Sequence, residues 1–392
     1  MHPPKNIRGL IVFAGMGLIL PAVLLPPSVD ASSSERVRHV NIGVDDEPRS
    51  VDVKPTYPFD LFRSSMEQLP RYKPEQKAIG TLRMWGSDYI GSHLGEAWIK
   101  EFNTFQPEVV VESRLVNALT AIPAIALGVG DLAPSRCARW QELFLFERVH
   151  NYPPLEISIA TGAFSSGFAI IVHEDNPISR LTMDQLDGIF GAQRTGGYIG
   201  TQWHPESARG PEKNIRTWGQ LGLTGEWKDK PIHVYGSILN GFFNRHFERL
   251  VFKGGVKWNE DFREYETGVT PDGKEYYRQD QFTDDMADDP CGIAFGYSRF
   301  GRKPKMKTLP IARIEAGPYV ELTIENLHNH SYPLAQNYYV YINRKPGQAL
   351  EPKVREFMRY ILSREGQEAI ARHGKYLPLT AEAVELERRK LE

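Results

Sequence analysis

Short alternating runs of apolar residues, each followed by a longer run at helical spacing, recur along most of this chain. TLRMWGS (81–87) alternates as a strand does, and HLGEAWIKEFNTFQP (93–107) sets Leu94, Trp98, Ile99, Phe102 and Phe105 at helical intervals until Pro107 stops it. VVVESRL (109–115) is β-branched and strand-like. NALTAIPAIALGVG (117–130) predicts a helix of small apolar residues, with Pro123 in its first turn or at a kink. FAIIVHED (168–175), IHVYGS (232–237) and GIAFGY (292–297) predict further strands. SRLTMDQLDGIFG (179–191) predicts a helix opened by Ser179 and closed by Gly191, and NGFFNRHFERLVF (240–252) predicts another. Strands alternating with helices place the chain in the α/β class, with mostly parallel sheets flanked by helices. Such sheets take ligands beyond the carboxyl ends of their strands, at helix starts, which is where Gly86, Ser87 and Asp88 lie.

Two segments break the rhythm. Residues 192–216 are glycine-rich and polar with Trp203 and His204 in the middle, and residues 264–281 hold Asp272-Gly273 between aromatic and β-branched residues, a hairpin signal. Both are expected as surface excursions. The first 31 residues are expected to lie outside the fold. Lys5 and Arg8 precede GLIVFAGMGLILPAVLL, a run of 17 residues without charge, and Val29 and Ala31 are the small residues a signal peptidase reads. An export signal cleaved near Ala31 fits better than a membrane anchor, because Pro21, Pro26 and Pro27 interrupt a span. The mature protein is then periplasmic or secreted. Residues 32–75, polar with scattered prolines, predict an extended and partly disordered leader.

Composition narrows the function. With 392 residues, 41% hydrophobic and 24% charged, the chain can form two domains with real cores. A formal net charge of −2 supplies no basic field for nucleic acid. Cys137 and Cys291 form no CxxC, which excludes a cysteine-type zinc site; export leaves open a disulfide or two partly buried thiols. No G-x-S-x-G elbow, H-E-x-x-H helix or nucleotide phosphate loop is present, so the chain is not expected to be an enzyme and needs no cofactor. His328-Asn329-His330 has no nearby acid pattern and is expected in an exposed turn rather than on a metal.

The order of motifs from about residue 78 to 379 resembles the phosphate-specific substrate-binding proteins of bacterial ABC importers. The residues that carry the resemblance are GTLRMWGSD (80–88), GVGDLAPSR (128–136), FAIIVHEDNPISRLTMDQLDGIFG (168–191), WGQLGLTGEWKDKPIHVYG (218–236), DPCGIAFGYSRFG (289–301), YPLAQNYYVYINRKPG (332–347) and VREFMRYILSREGQEAI (354–370). The resemblance implies a two-lobed periplasmic-binding-protein (type II) fold, with a ligand held between lobes joined by two hinge strands. Lobe I would be discontinuous, 76–170 and 335–385, and lobe II would span 171–334. FAIIVHED would lead out and YPLAQNYYVYIN back, before an amphipathic helix over 352–373 ended by Gly374.

In that family three loops capture the anion with backbone N–H groups, hydroxyls and an arginine. Here Gly86 and Ser87 match the first loop, while Asp88 and Tyr89 stand where a hydroxyl and a helix-start amide are expected; Asp88 also suits an N-cap. The second loop's glycines are replaced by Val116 to Ala121, leaving Asn117, Ala118 and Thr120 as its candidate contacts. Ser135 and Arg136 match the family's S-R element, with Arg136 the candidate for charge compensation or else a structural ion pair. The third loop reads Gly236 to Phe242 without the family's arginine, aspartate and threonine, so Ser237, Asn240 and Gly241 remain. Arg245 is expected on a solvated helix face, and Cys137, beside Arg136, could be somewhat acidic. A kept scaffold with altered loops implies an exported, monomeric binding protein that delivers phosphate or a related oxyanion to an ABC permease. The alternative is an interaction or signalling module on the same fold that has lost high-affinity phosphate binding.

Overall fold

A computed structural model describes residues 55–87, 90–163, 167–239, 244–269 and 272–392. The export signal, the leader up to residue 54, Asp88, Tyr89, Asn240 and Gly241 lie outside the described residues.

Two sheets organise the chain. In the first, Gly80–Gly86 runs parallel to Val109–Leu115 in the register Gly80 to Val109, and a parallel bridge from Met84 to Leu132 continues the sheet into Ala133–Ser135. Asn337–Ile342 then runs antiparallel to both Ala133–Ser135 and Leu155–Gly162, and Tyr376–Leu377 closes the far edge. The second sheet has the order Arg263–Tyr265, His233–Ser237, Gly292–Tyr297, Phe168–His173, Met306–Thr308. Its first three strands are parallel, whereas Phe168–His173 runs against both neighbours. The parallel pairing expected from the strand–helix alternation therefore holds where helices connect the strands. The strands that leave the first sheet and return to it run antiparallel, because no crossover helix reverses the chain there.

Each sheet carries its own core. Trp98, Phe102, Phe357 and Tyr360 pack on Leu82 and Met84 in the first, while Phe190, Phe247, Trp258 and Phe295 stack in the second. Helix Glu96–Phe105 buries Trp98 and Phe102 as its spacing predicts, and the Trp98 indole N–H donates to Gly366 O at 3.0 Å. Pro123 lies in the first turn of Ala121–Ala126, where its missing N–H costs nothing. Gly374 ends its helix with φ 71°.

Several local expectations are corrected. Helix Met183–Phe190 is opened by Thr182, not Ser179: Thr182 Oγ1 accepts from Gln185 N at 3.1 Å, and the Gln185 side chain returns to Thr182 N at 2.9 Å. That reciprocal pair outcompetes a lone upstream serine. The single helix expected over 352–373 is two, Pro352–Ile361 and Arg364–His373, because Ser363 caps the second by accepting from Gly366 N. Residues 57–72, expected as extended leader, fold onto the core through buried Tyr57, Phe62, Met66, Leu69 and Tyr72. The Tyr72 hydroxyl donates to buried Glu356 at 2.7 Å, and Arg359 neutralises that carboxylate at 3.0 Å. Cys137 and Cys291 are free thiols.

The 264–281 segment forms the expected hairpin, Gly268–Val269 with Glu275–Tyr276, with Gly273 at φ 84°. The 192–216 segment also carries a hairpin, Gly197–Ile199 with Gln202–His204, but its base is not superficial. Arg194 forms two bonds to the buried Asp187 carboxylate at 2.7 and 2.6 Å. Arg209 and Arg216 donate to the carbonyls of Asp187, Gly188 and Gly191 at the end of the preceding helix, where its dipole favours positive charge.

Candidate functional site

The first wall of the candidate site is built around a backbone position that only glycine tolerates. Gly86 has φ 156°, and a Cβ there would sit 2.0 Å from Pro134 O. That close approach lets Ser87 N donate to Pro134 O at 2.8 Å and Gly86 O accept from Asn117 N at 2.9 Å. Three stretches distant in sequence are thereby joined: the first strand's end, the 117–120 turn and the Ser135–Arg136 crossing. Ser135 Oγ lies 3.4 Å from Ala118 O and ties the last two together. Asn117 and Thr120 serve the turn itself. Asn117 Oδ1 accepts from Leu119 N at 2.8 Å, and Thr120 Oγ1 donates to Asn117 O at 2.7 Å. Ser87 is fully buried and Arg136 is 4% exposed. The Arg136 guanidinium sits over the Tyr338 ring at 5.4 Å, against the returning strand.

The second wall starts where strand His233–Ser237 ends. Ser237 is fully buried, and its Oγ has no partner among the described residues. Asn244, also fully buried, holds the loop by donating from Nδ2 to Ser237 O and Ile238 O, both at 3.1 Å. Helix Asn244–Leu250 then buries Asn244, Arg245, His246 and Phe247 in succession. Phe247 faces the second core. Of the three polar residues before it, Asn244 and His246 lie against the second lobe's own Ser237 and Phe168, while Arg245 reaches the first lobe.

Charged pairs cross between the lobes. Arg245 Nη1 donates to Glu142 Oε2 at 2.6 Å, and Arg249 reaches Glu156 at 3.0 Å and Cys137 Sγ at 3.2 Å. Arg139 Nη2 donates to Leu239 O at 3.1 Å. Arg245 is therefore a buried ionic partner rather than part of a solvated face. Aromatic contacts extend the junction: Trp140 stacks on Tyr198 at 4.6 Å, Phe144 meets Tyr198 edge-on at 5.3 Å, and Trp203 packs behind at 5.0 Å. The 192–216 segment thus reaches helix Trp140–His150 instead of standing clear of it.

Burial sets the protonation states here. His246 is pushed down to about 3 by burial first, then by the charges of Arg249 and Arg136, so its ring is neutral. Burial raises the Cys137 thiol, against the expectation that a neighbouring arginine makes it acidic. Arg136, Arg139, Arg245 and Arg249 face Glu142, Glu156 and Glu248, and burial raises the Glu248 carboxyl. His328 stacks on Phe62 at 4.3 Å while His330 bonds Thr161 at 3.0 Å, so the two do not converge.

Residues 159–365 match the PBP superfamily domain. Over 320 residues the chain is 33% identical to the phosphate-binding protein PstS of Pseudomonas aeruginosa, an alignment covering 81% of this chain and 88% of that protein. The chain belongs to the PstS family. Its two sheets are the two lobes of the periplasmic-binding-protein type II fold. Similar solved structures include PstS from Borrelia burgdorferi, 14% identical over 78% of this chain and 100% of that one, with a TM-score of 0.49. Another is an ABC-type phosphate transport receptor from Vibrio cholerae, 20% identical over 76% and 99%, with a TM-score of 0.45.

Sequence reasoning missed Asn244, His246, the Arg245–Glu142 pair and the Trp140–Tyr198 stack. One signal was present: Asn244-Arg245-His246 puts three polar residues in a row on a short helix next to a candidate loop, which covers its faces instead of leaving one apolar.

Proposed function

We propose that this chain is an exported, monomeric substrate-binding protein that captures phosphate, or a closely related oxyanion, between its lobes and delivers it to a membrane ABC permease. The observation that carries this reading is Ser237 Oγ, fully buried at a strand end of the second lobe with no partner among the described residues, two positions before Leu239, whose carbonyl Arg139 of the first lobe reaches. A buried hydroxyl is costly without a partner, and an anion supplies one. Gly86, Ser87, Asp88 and Tyr89 would form one rim with Ser135 and Arg136; Ser237, Asn240 and Gly241 would close from the other lobe. Asn117, Ala118 and Thr120 would shape the turn and support the rim, since their side-chain bonds are already made locally. The relative's role as a binding protein supports a function without catalysis. The basic flank, uncharged run and Ala31 support export to the periplasm or beyond.

A second reading, an exported interaction module, draws on half-exposed Trp203 and Ile199 at the tip of the 192–216 hairpin. Thermal unfolding of the mature chain, from Ser32, against phosphate, sulfate, molybdate, phosphonates and small organic acids separates the two. A bound ligand at about a thousand times its dissociation constant adds roughly 4 kcal/mol. Stabilisation by phosphate supports transport, stabilisation by another of these anions renames the cargo, and no shift from a folded protein supports the interaction module.

A further inference from the structure

Among the described polar residues at the junction of the lobes, His246 has surroundings that a ligand would complete. It is 94% buried, being 6% exposed, and its Nε2 has no hydrogen-bond partner among the described residues. It projects from helix Asn244–Leu250 on the flank between Phe247, which packs into the second core, and Arg245 and Arg249, which reach the first lobe. Its ring lies 5.8 Å from that of Phe168, at the start of the strand entering the second lobe. Arg136, whose guanidinium covers Tyr338 on the returning strand, and Arg249 both act on it electrostatically. A buried histidine in an ordinary core has its nitrogens bonded. Here Nε2 is left open among the described residues, on a helix that carries the cross-lobe arginines and within electrostatic reach of Arg136.

We infer that His246 is a ligand-binding residue, whose ring carries its proton on Nε2 and gives the second lobe a neutral N–H donor to the bound oxyanion, opposite the charged Arg136. This rests on the anion-binding reading of the same cleft. It also accounts for a second lobe that lacks the family's loop arginine. Arg245 is already paired with Glu142, so the second lobe's added contribution is a dipole rather than a charge. Burial and the two arginines keep the ring neutral, so it donates without adding a third cation.

The test is calorimetric titration of inorganic phosphate into the intact mature chain and three variants, His246→Phe, His246→Gln and Arg136→Ala. Loss of one hydrogen bond to a charged ligand corresponds to about tenfold to hundredfold in affinity. His246→Phe is expected to weaken phosphate by that factor, and His246→Gln, which keeps a neutral N–H, to recover most of it. Binding by His246→Phe within twofold of wild type, with Arg136→Ala inactive, overturns the role of His246 and leaves the anion site standing. Full binding by Arg136→Ala as well, or none by the wild type, overturns both. Should His246→Phe not fold, the nitrogen resonances of the His246 ring decide the matter. A shift of Nε2 on adding phosphate supports the contact, and an unchanged resonance overturns it.

Discussion

Arg194 is matched by Asp187 through two short bonds, with Arg209 at 3.4 Å from the same carboxylate. Asp187→Ala would leave two buried guanidinium groups facing each other, and we expect a loss of about 3–5 kcal/mol in urea unfolding. Arg136 is buried against the Tyr338 ring, and in the proposed function it also holds the cargo. Arg136→Ala should therefore abolish phosphate binding while the protein stays folded; an unchanged affinity would make the residue structural. That Ser87, Ser135 and Arg136 come together was legible in the sequence, because they lie at or just past strand ends in adjacent crossings. Asn244 and His246 were not. Asn244 turns inward to hold the carbonyls of Ser237 and Ile238, and His246 lies by Phe168, tertiary contacts that no local pattern reports.

At the scale of elements, the 192–216 hairpin is the feature that sequence reasoning understood least. Its glycines and polar residues suggest a surface excursion, yet Tyr198 packs between Trp140 and Trp203, and three arginines anchor its base to a helix end. Aromatic pairs of this kind contribute about 0.5–1.5 kcal/mol beyond the area they bury. If the stack holds the lobes together around cargo, Tyr198→Ala should release phosphate several-fold faster in stopped-flow measurements, with little change in the rate of capture. Equal release rates would assign the stack to the architecture of the hairpin alone. The split of the 352–373 run at Ser363 and the shift of a helix start to Thr182 have a common cause. Apolar periodicity continues through both positions, but a side-chain oxygen that reaches the third following amide decides where a helix begins.

Across the whole molecule, the α/β class and the ordered motifs were legible because strand and helix periodicities alternate cleanly from residue 80 onward. The folding of residues 57–72 was not, since Tyr57, Phe62 and Tyr72 are spaced too irregularly to show a period and find their partners about 300 residues away. Burial has also left several histidines neutral. His246 is held down to about 3, and His328 and His373 to about 4, in each case by burial first and then by neighbouring positive groups. An unfolded histidine titrates near 6.5, so their contribution is complete above that pH. It is lost as pH falls toward 4, because the unfolded chain takes up protons that the folded one refuses. The thermal midpoint should decline from pH 6.5 to 4, and a flat profile would mean these rings are hydrated in solution.

Whether the two lobes close on an oxyanion is decided by calorimetric titration of inorganic phosphate into the mature chain, repeated with Arg136→Ala. Saturable binding of one phosphate per chain, and none in the variant, is expected. A folded wild-type protein that takes up no phosphate, or a variant that binds it equally well, would rule out the anion site.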